Sequence, residues 1–320
     1  MIHTKIINKL NPSSIEVIEF DLVICSSGYE TRATFLIEKF KINSKRKVAL
    51  LFDDKIDKFN RRRNDSIFKE NGYELIQSNG DFGIEINKLL DDTILECKGN
   101  VSILIDYSSM TRIWYASILK YFRYKPTNDK EITLYFSYSC ANFNSPPDEV
   151  IPNINVGPIS GFSNLSISNK PTVLILGLGY EIDRAYGLAE YLDAETYLFY
   201  TSSKNNNMFS NLIEKNNEDL IRTVPEENIF LYDFEDIEYT FYILFNLCER
   251  LSKSNRIVLA PCGPKPFTIL SFIVAEMLPN VDVWRISSGK KSIPIDRIPS
   301  GDIILFKNQL NILFNPNAQS

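Results

Sequence analysis

The sequence predicts an α/β chain made of two tandem Rossmann-like domains with mainly parallel sheets, related by internal duplication. The stretches DLVICSSGYETRATFLIEKF at residues 21–40 and TVLILGLGYEIDRAYGLAEYL at 172–192 follow one plan. In each, a β-branched apolar run breaks at a glycine, Gly-Tyr-Glu follows, and an arginine opens a segment with helical apolar spacing. A second pair, VSILIDYSSMTRIWYASILKYF at 101–122 and RIVLAPCGPKPFTILSFIVAEML at 256–278, comes next in the same order. Gly28 and Asp106 are 78 positions apart (28 to 106), and Gly179 and Pro261 are 82 apart (179 to 261). Strands and helices also alternate throughout, which implies parallel pairing through right-handed crossovers.

In chain order, residues 1–20 form a lead-in whose Ile15, Val17 and Ile18 suit an edge strand or a helical turn. Residues 21–25 are the first core strand, Ser26-Ser27-Gly28 its turn and 31–40 the first helix. KVALLF at 47–52 is an apolar run of the kind found in a sheet covered on both faces. A helix over 59–71, a strand over 73–77 and a helix over 84–97 precede the strand at 101–105. The DYSSMTR turn then leads into a helix over 113–122, and the alternating strand at 132–138 closes the sheet. The Asn, Ser, Pro and Gly-rich stretch after Cys140 reads as loop and linker, dividing the chain into domains 1–165 and 166–320. The second domain repeats the order, with strands at 173–176, 195–200, 229–232, 256–260 and 281–286 and a last one at 303–305. Its helices span 183–192, 209–221, 237–252 and 266–278.

A length of 320 residues suits two domains, and 44% hydrophobic with 23% charged residues is ordinary for a globular protein. The chain has neither an apolar run long enough to span a bilayer nor a signal-type start, so a cytoplasmic protein without a membrane partner is expected. A net charge of −5 argues against a general nucleic-acid-binding surface. Lys45-Arg46-Lys47 and Arg61-Arg62-Arg63 are either solvated surface or a rim attracting a phosphate-bearing ligand. Five scattered cysteines without a C-x-x-C pair favour neither a metal site nor disulfides, and no cofactor is expected.

In an open parallel sheet, ligands bind outside the carboxyl ends of the strands, where helix N-termini offer free N–H groups to phosphate. The first turn places Ser26, Ser27, Gly28, Glu30 and Arg32 there, and its counterpart places Gly179, Glu181 and Arg184. The third glycine of a dinucleotide-binding fingerprint is absent. Glu30 with Arg32, and Glu181 with Arg184, are either local ion pairs or ligand contacts. At the other two turns stand Asp106, Ser108, Ser109, Thr111 and Arg112, and Cys262, Gly263 and Lys265. Hydroxyls and backbone N–H groups there would bind phosphate or ribose oxygens, with Arg112 and Lys265 neutralising charge. With His3 the sole histidine, Ser-His-Asp and Cys-His catalysis are close to excluded.

A core strand ending in Asp-x-Ser-x-x-x-Arg, here DYSSMTR at residues 106–112 with CGPK at 262–265 as counterpart, resembles the CARF domains. CARF domains sense cyclic oligonucleotides in antiviral defence, and in the related SAVED domains two such units are fused. The resemblance implies a nucleotide-type, phosphate-bearing ligand in the cleft between the halves and a separate effector protein as partner. No effector segment is evident, and Cys-Gly-Pro-Lys departs from the Thr-Gly-Gly-like run usual in the family. The alternatives are a metal-independent phosphodiesterase of the ring-nuclease kind and an interaction scaffold.

Overall fold

The computed structural model describes residues 2–80, 83–124, 130–145, 153–163, 169–182, 184–202, 207–287 and 293–312. Two compact units divide the chain: Met1–Asn142 with Pro294–Ser320, and Phe143–Ile293. The first contains strands β1 (Ile2–Leu10), β2 (Glu19–Ser27), β3 (Asn43–Phe52), β4 (Glu74–Ser78), β5 (Val101–Asp106) and β6 (Ile132–Ala141). The second contains β7 (Asn155–Pro158), β8 (Thr172–Gly177), β9 (Glu195–Thr201), β10 (Ile229–Tyr232), β11 (Arg256–Pro261) and β12 (Val281–Ser287). The last strand, β13 (Pro299–Ile312), returns to the first unit.

The first sheet has the order β1-β13-β6-β5-β2-β3-β4 and the second β10-β9-β8-β11-β12-β7. Within each, five parallel strands share one arrangement, the first core strand lying between the second and the fourth. Two Rossmann-like sheets of the same topology are what a duplicated sequence order requires. Helices α1 (Phe35–Lys39), α2 (Arg61–Glu70), α3 (Ile84–Glu96) and α4 (Arg112–Tyr124) connect strands of the first sheet. Helices α5 (Arg184–Leu192), α6 (Asn207–Asn216), α7 (Glu218–Thr223), α8 (Ile237–Ser252) and α9 (Lys265–Met277) do so in the second. Every residue of α9 from Pro266 to Ala275 is buried, as its nearly unbroken apolar sequence demands. No helix among the described residues is long and apolar enough to cross a membrane.

The strand expected at 303–305 is part of β13, which pairs antiparallel with β6 rather than extending the second sheet. Phe306 stacks on Phe136 across that pairing, with ring centroids 5.2 Å apart. The sheet is therefore not closed at residues 132–138: β13 lies beyond β6, and β1 pairs antiparallel with β13 as the edge. The lead-in concealed β1 because its register shifts between Thr4 and Ile7, which breaks the two-residue alternation that marks a strand. Residues 12–16 form a 3-10 turn capped by Asn11, and the first helix likewise begins as a 3-10 turn over Thr31–Thr34. The boundary at 165/166 lies outside the described residues. The units divide instead at 142/143 and 293/294, since β7, in the stretch read as linker, pairs with β12.

Candidate functional site at the strand ends

In the first unit the topological switch point lies between β2 and β5, whose carboxyl ends carry two of the four singled-out turns. The turns touch there: a Cβ added at Gly28 would fall 2.5 Å from Ser109 Oγ, so the glycine admits the serine. The half-buried Ser109 hydroxyl donates a long 3.5 Å hydrogen bond to Glu30 Oε2. Asp106, 2% exposed, accepts from the Ser108 N–H at 3.0 Å and from its hydroxyl, and Ser108 Oγ accepts from Ser139 N at 2.7 Å. The Asp-x-Ser spacing thus folds the chain back on itself and ties it to β6. Thr111 Oγ1 donates to the Gly80 carbonyl at 3.1 Å, and Arg112, half-buried, opens α4. Ser26 is 2% exposed and its hydroxyl has no hydrogen-bond partner among the described residues.

Arg32 is only 4% exposed. Its Nε donates to Glu30 Oε2 at 2.8 Å and its Nη1 to Tyr138 Oη at 2.9 Å and the Ser139 carbonyl at 3.3 Å. Burial opposes its charge, but the Glu30 carboxylate and Tyr138 outweigh that and raise its pKa further. The Glu30–Arg32 pair is therefore an internal strut from the first turn to β6. Glu181 and Arg184 repeat the pair more loosely, at 3.3 Å and better exposed to solvent.

The second unit seals its switch point with backbone. The N–H groups of Cys262 and Gly263 both donate to the Gly177 carbonyl, at 2.7 and 2.8 Å. A Cβ at Gly263 would lie 2.3 Å from the Leu178 carbonyl oxygen, and one at Gly179 2.7 Å from that of Cys262. Cys262 is buried, 5% exposed, and Lys265 is half-buried at the start of α9. The same place is thus lined by hydroxyls, a carboxylate and a guanidinium in one unit and closed by main chain in the other.

Two asparagines escaped the sequence reading. Asn64 in α2, fully buried, donates from Nδ2 to the carbonyls of Gly28 and Glu30, both at 2.9 Å. Asn217 donates to the Gly179 carbonyl, also at 2.9 Å. They occupy corresponding places, and the shared signal is Asn-acidic-x-apolar in NDSI and NEDL. Asn217 also divides the helix expected over 209–221 into α6 and α7, turning its side chain back to the Ile213 carbonyl.

These bonds position the tyrosine of each Gly-Tyr-Glu. Tyr29 lies between the two carbonyls held by Asn64, and its own carbonyl accepts from Asn60 N at 3.1 Å. Its ring meets that of Phe59 at 5.8 Å, and Lys55 Nζ sits 5.6 Å from its centroid. Lys55 and Phe59 both have positive φ, 55° and 36°, conformations costing about 1–3 kcal/mol each. Burial, then the neighbouring Glu30, pushes the Tyr29 phenol up to about 12, so the ring is neutral at physiological pH.

Both basic clusters are largely engaged. Arg61, Arg62 and Arg63 pair with Asp65, Asp57 and Glu38, while Lys45 and Arg46 pair with Asp21 and Glu74. Arg61 is 3% exposed and shares Asp65 Oδ1 with the Ser27 hydroxyl, which donates at 2.6 Å.

No protein-family model and no curated protein matches the chain. Among solved structures, it is similar to a putative universal stress protein from Pseudomonas aeruginosa UCBPP-PA14, at 10% identity and a TM-score of 0.23, over 83% of this chain and 92% of that one.

Proposed function

We propose that the protein is a binding module for a nucleotide-type, phosphate-bearing ligand, taken at the carboxyl ends of β2 and β5 in the first unit. The observation that carries this reading is the polar switch point. Ser109 and Arg112 stand half-buried where the turn enters the 13-residue helix α4, over a loop fixed by Asp106 and Ser108. A helix N-terminus flanked by a hydroxyl and a guanidinium suits a phosphate group. The Asp-x-Ser-x-x-x-Arg turn, similar to that of CARF domains, favours a cyclic oligonucleotide signal and hence a sensor in antiviral defence that relays to a separate effector.

Calorimetric titration with linear and cyclic adenylates, beside chromatography of the recovered ligand, tests the reading. Arg112→Ala should weaken binding by about 1.5–3 kcal/mol, the worth of a charge-assisted hydrogen bond, or roughly 10- to 150-fold. Ser109→Ala should cost less, about 0.5–1.5 kcal/mol. Lys265→Ala, beside the sealed turn of the second unit, should change affinity little. Equal losses from Arg112→Ala and Lys265→Ala would move the site away from the first unit. Conversion of the ligand by the wild type but not by Asp106→Asn would replace the sensor with an enzyme.

A further inference from the structure

The Gly-Tyr-Glu tyrosine has an aromatic partner in both units. Tyr29 meets Phe59 with centroids 5.8 Å apart and planes at 40°, and Tyr180 meets Phe209 at 6.1 Å and 30°. The spacings along the chain are nearly equal, 30 positions (29 to 59) and 29 positions (180 to 209). Each tyrosine is set by the same device, an asparagine amide on the backbone of its turn: Asn64 on Gly28 and Glu30, Asn217 on Gly179 and Asn216 on Tyr180. A duplicated pair of rings, held by duplicated amides, lies at the same end of each sheet as the switch point.

The pairs differ in what covers them. In the second unit a third ring, Phe143, stands edge-on to Phe209 with centroids 4.9 Å apart and planes at 82°. In the first unit Phe59 is 58% exposed and, among the described residues, meets no ring but Tyr29. The turn around Phe59 is held by its own backbone, Asn60 N donating to the Tyr29 carbonyl and Arg61 N to the Lys58 carbonyl, both at 3.1 Å, and it leaves the ring outward at a φ of 36° that its residue type rarely adopts. An apolar ring fixed open to solvent in this way can receive a ring from solution.

We propose that Tyr29 and Phe59 form a stacking platform for a planar nitrogenous base, a purine above all. The occupant's chemistry follows from the duplicate, where a third aromatic ring, Phe143, packs against the tyrosine's partner. Its surroundings carry both signs: Lys55 stands beside Tyr29 and Lys58 is exposed, while the Glu30 and Asp54 carboxylates also act on the Tyr29 phenol, so the platform selects for the ring and not for charge. The inference rests on the nucleotide reading above and adds to it the group that recognises the base.

The test compares AMP with ribose 5-phosphate, which keeps the phosphate and lacks the ring, by titration of the full chain. Wild type should bind AMP more tightly, and Phe59→Ala should weaken AMP roughly 5- to 150-fold, the range of one stacked base, leaving ribose 5-phosphate unchanged. Phe59→Trp should retain AMP binding. Circular dichroism of both variants should match wild type, because the replaced ring is exposed. Equal affinity of the two probes for wild type, or AMP binding unaffected by Phe59→Ala, overturns the platform and leaves the phosphate site standing. Binding of neither probe overturns the platform, and the phosphate site then stands or falls on the adenylate titrations above.

Discussion

Arg32 shows how an ionisable residue at a strand end can serve packing rather than ligand contact. Its guanidinium bonds a carboxylate, a phenol and a carbonyl of its own unit, and Tyr138 also offers its ring face 5.1 Å from the guanidinium carbon. Arg32→Ala would leave the Glu30 carboxylate, whose side chain is 16% exposed, without that partner, and should cost about 3–5 kcal/mol by urea unfolding. A loss below about 1 kcal/mol would mean the strut is dispensable. The Glu30–Arg32 partnership was legible in the sequence because the two lie within one turn. The partners on β6 were not, being more than a hundred positions away. Glycines make a second residue-scale contrast. Gly28→Ala need displace only the Ser109 hydroxyl, whereas Gly263→Ala drives a methyl group against the Leu178 carbonyl. Gly263→Ala should therefore lower the melting temperature more than Gly28→Ala, and the reverse order would show that the second switch point is less tightly closed than its hydrogen bonds imply.

At the scale of elements, the strands that carry the first switch point are cross-linked at their opposite ends. Asp21 on β2 accepts from Lys45 Nζ on β3 at 2.7 Å and from Ser102 N on β5 at 2.8 Å. Burial alone would raise its pKa, but the Lys45 ammonium and the Ser102 N–H more than compensate and hold it below the ordinary 3.8. A carboxylate depressed in the folded state contributes stability that is fully present above its unfolded pKa and lost as pH falls through the folded one. Unfolding free energy should thus decline below about pH 4, and Asp21→Asn should flatten that acid limb while lowering the plateau above it. An unchanged acid limb in Asp21→Asn would assign the pH dependence elsewhere. The sequence marked β2 and β5 by their apolar runs, which are local. Their joining by Asp21 was hidden because Asp21 and its two partners, Lys45 and Ser102, come from three separate stretches of chain.

For the whole molecule, duplication was legible and its punctuation was not. Repeated strand-turn-helix units gave both parallel cores, since each is built from local periodicity in a fixed order. The return of β13 to the first sheet depends on a pairing between residues some 170 positions apart, Ile303 with Ser139 to Leu310 with Ile132, to which local pattern is blind. The first unit is therefore discontinuous in sequence, and the second stands between β6 and β13. The two crossing points meet: Asn142 N donates to the Ile298 carbonyl at 2.9 Å, and Ala141 pairs with Pro299. A short Gly-Ser linker can replace residues 143–293, and the joined chain 1–142 plus 294–320 should unfold in one cooperative transition. Residues 1–142 alone should not, because β1 loses its partner strand and β6 becomes a bare edge open to aggregation. Residues 143–293, holding all six strands of their sheet, should fold when expressed alone. Urea titrations of the three fragments followed by circular dichroism decide the matter. Cooperative unfolding of 1–142 at the same midpoint as the joined chain would show that β13 is an accessory to the first unit and not part of its core.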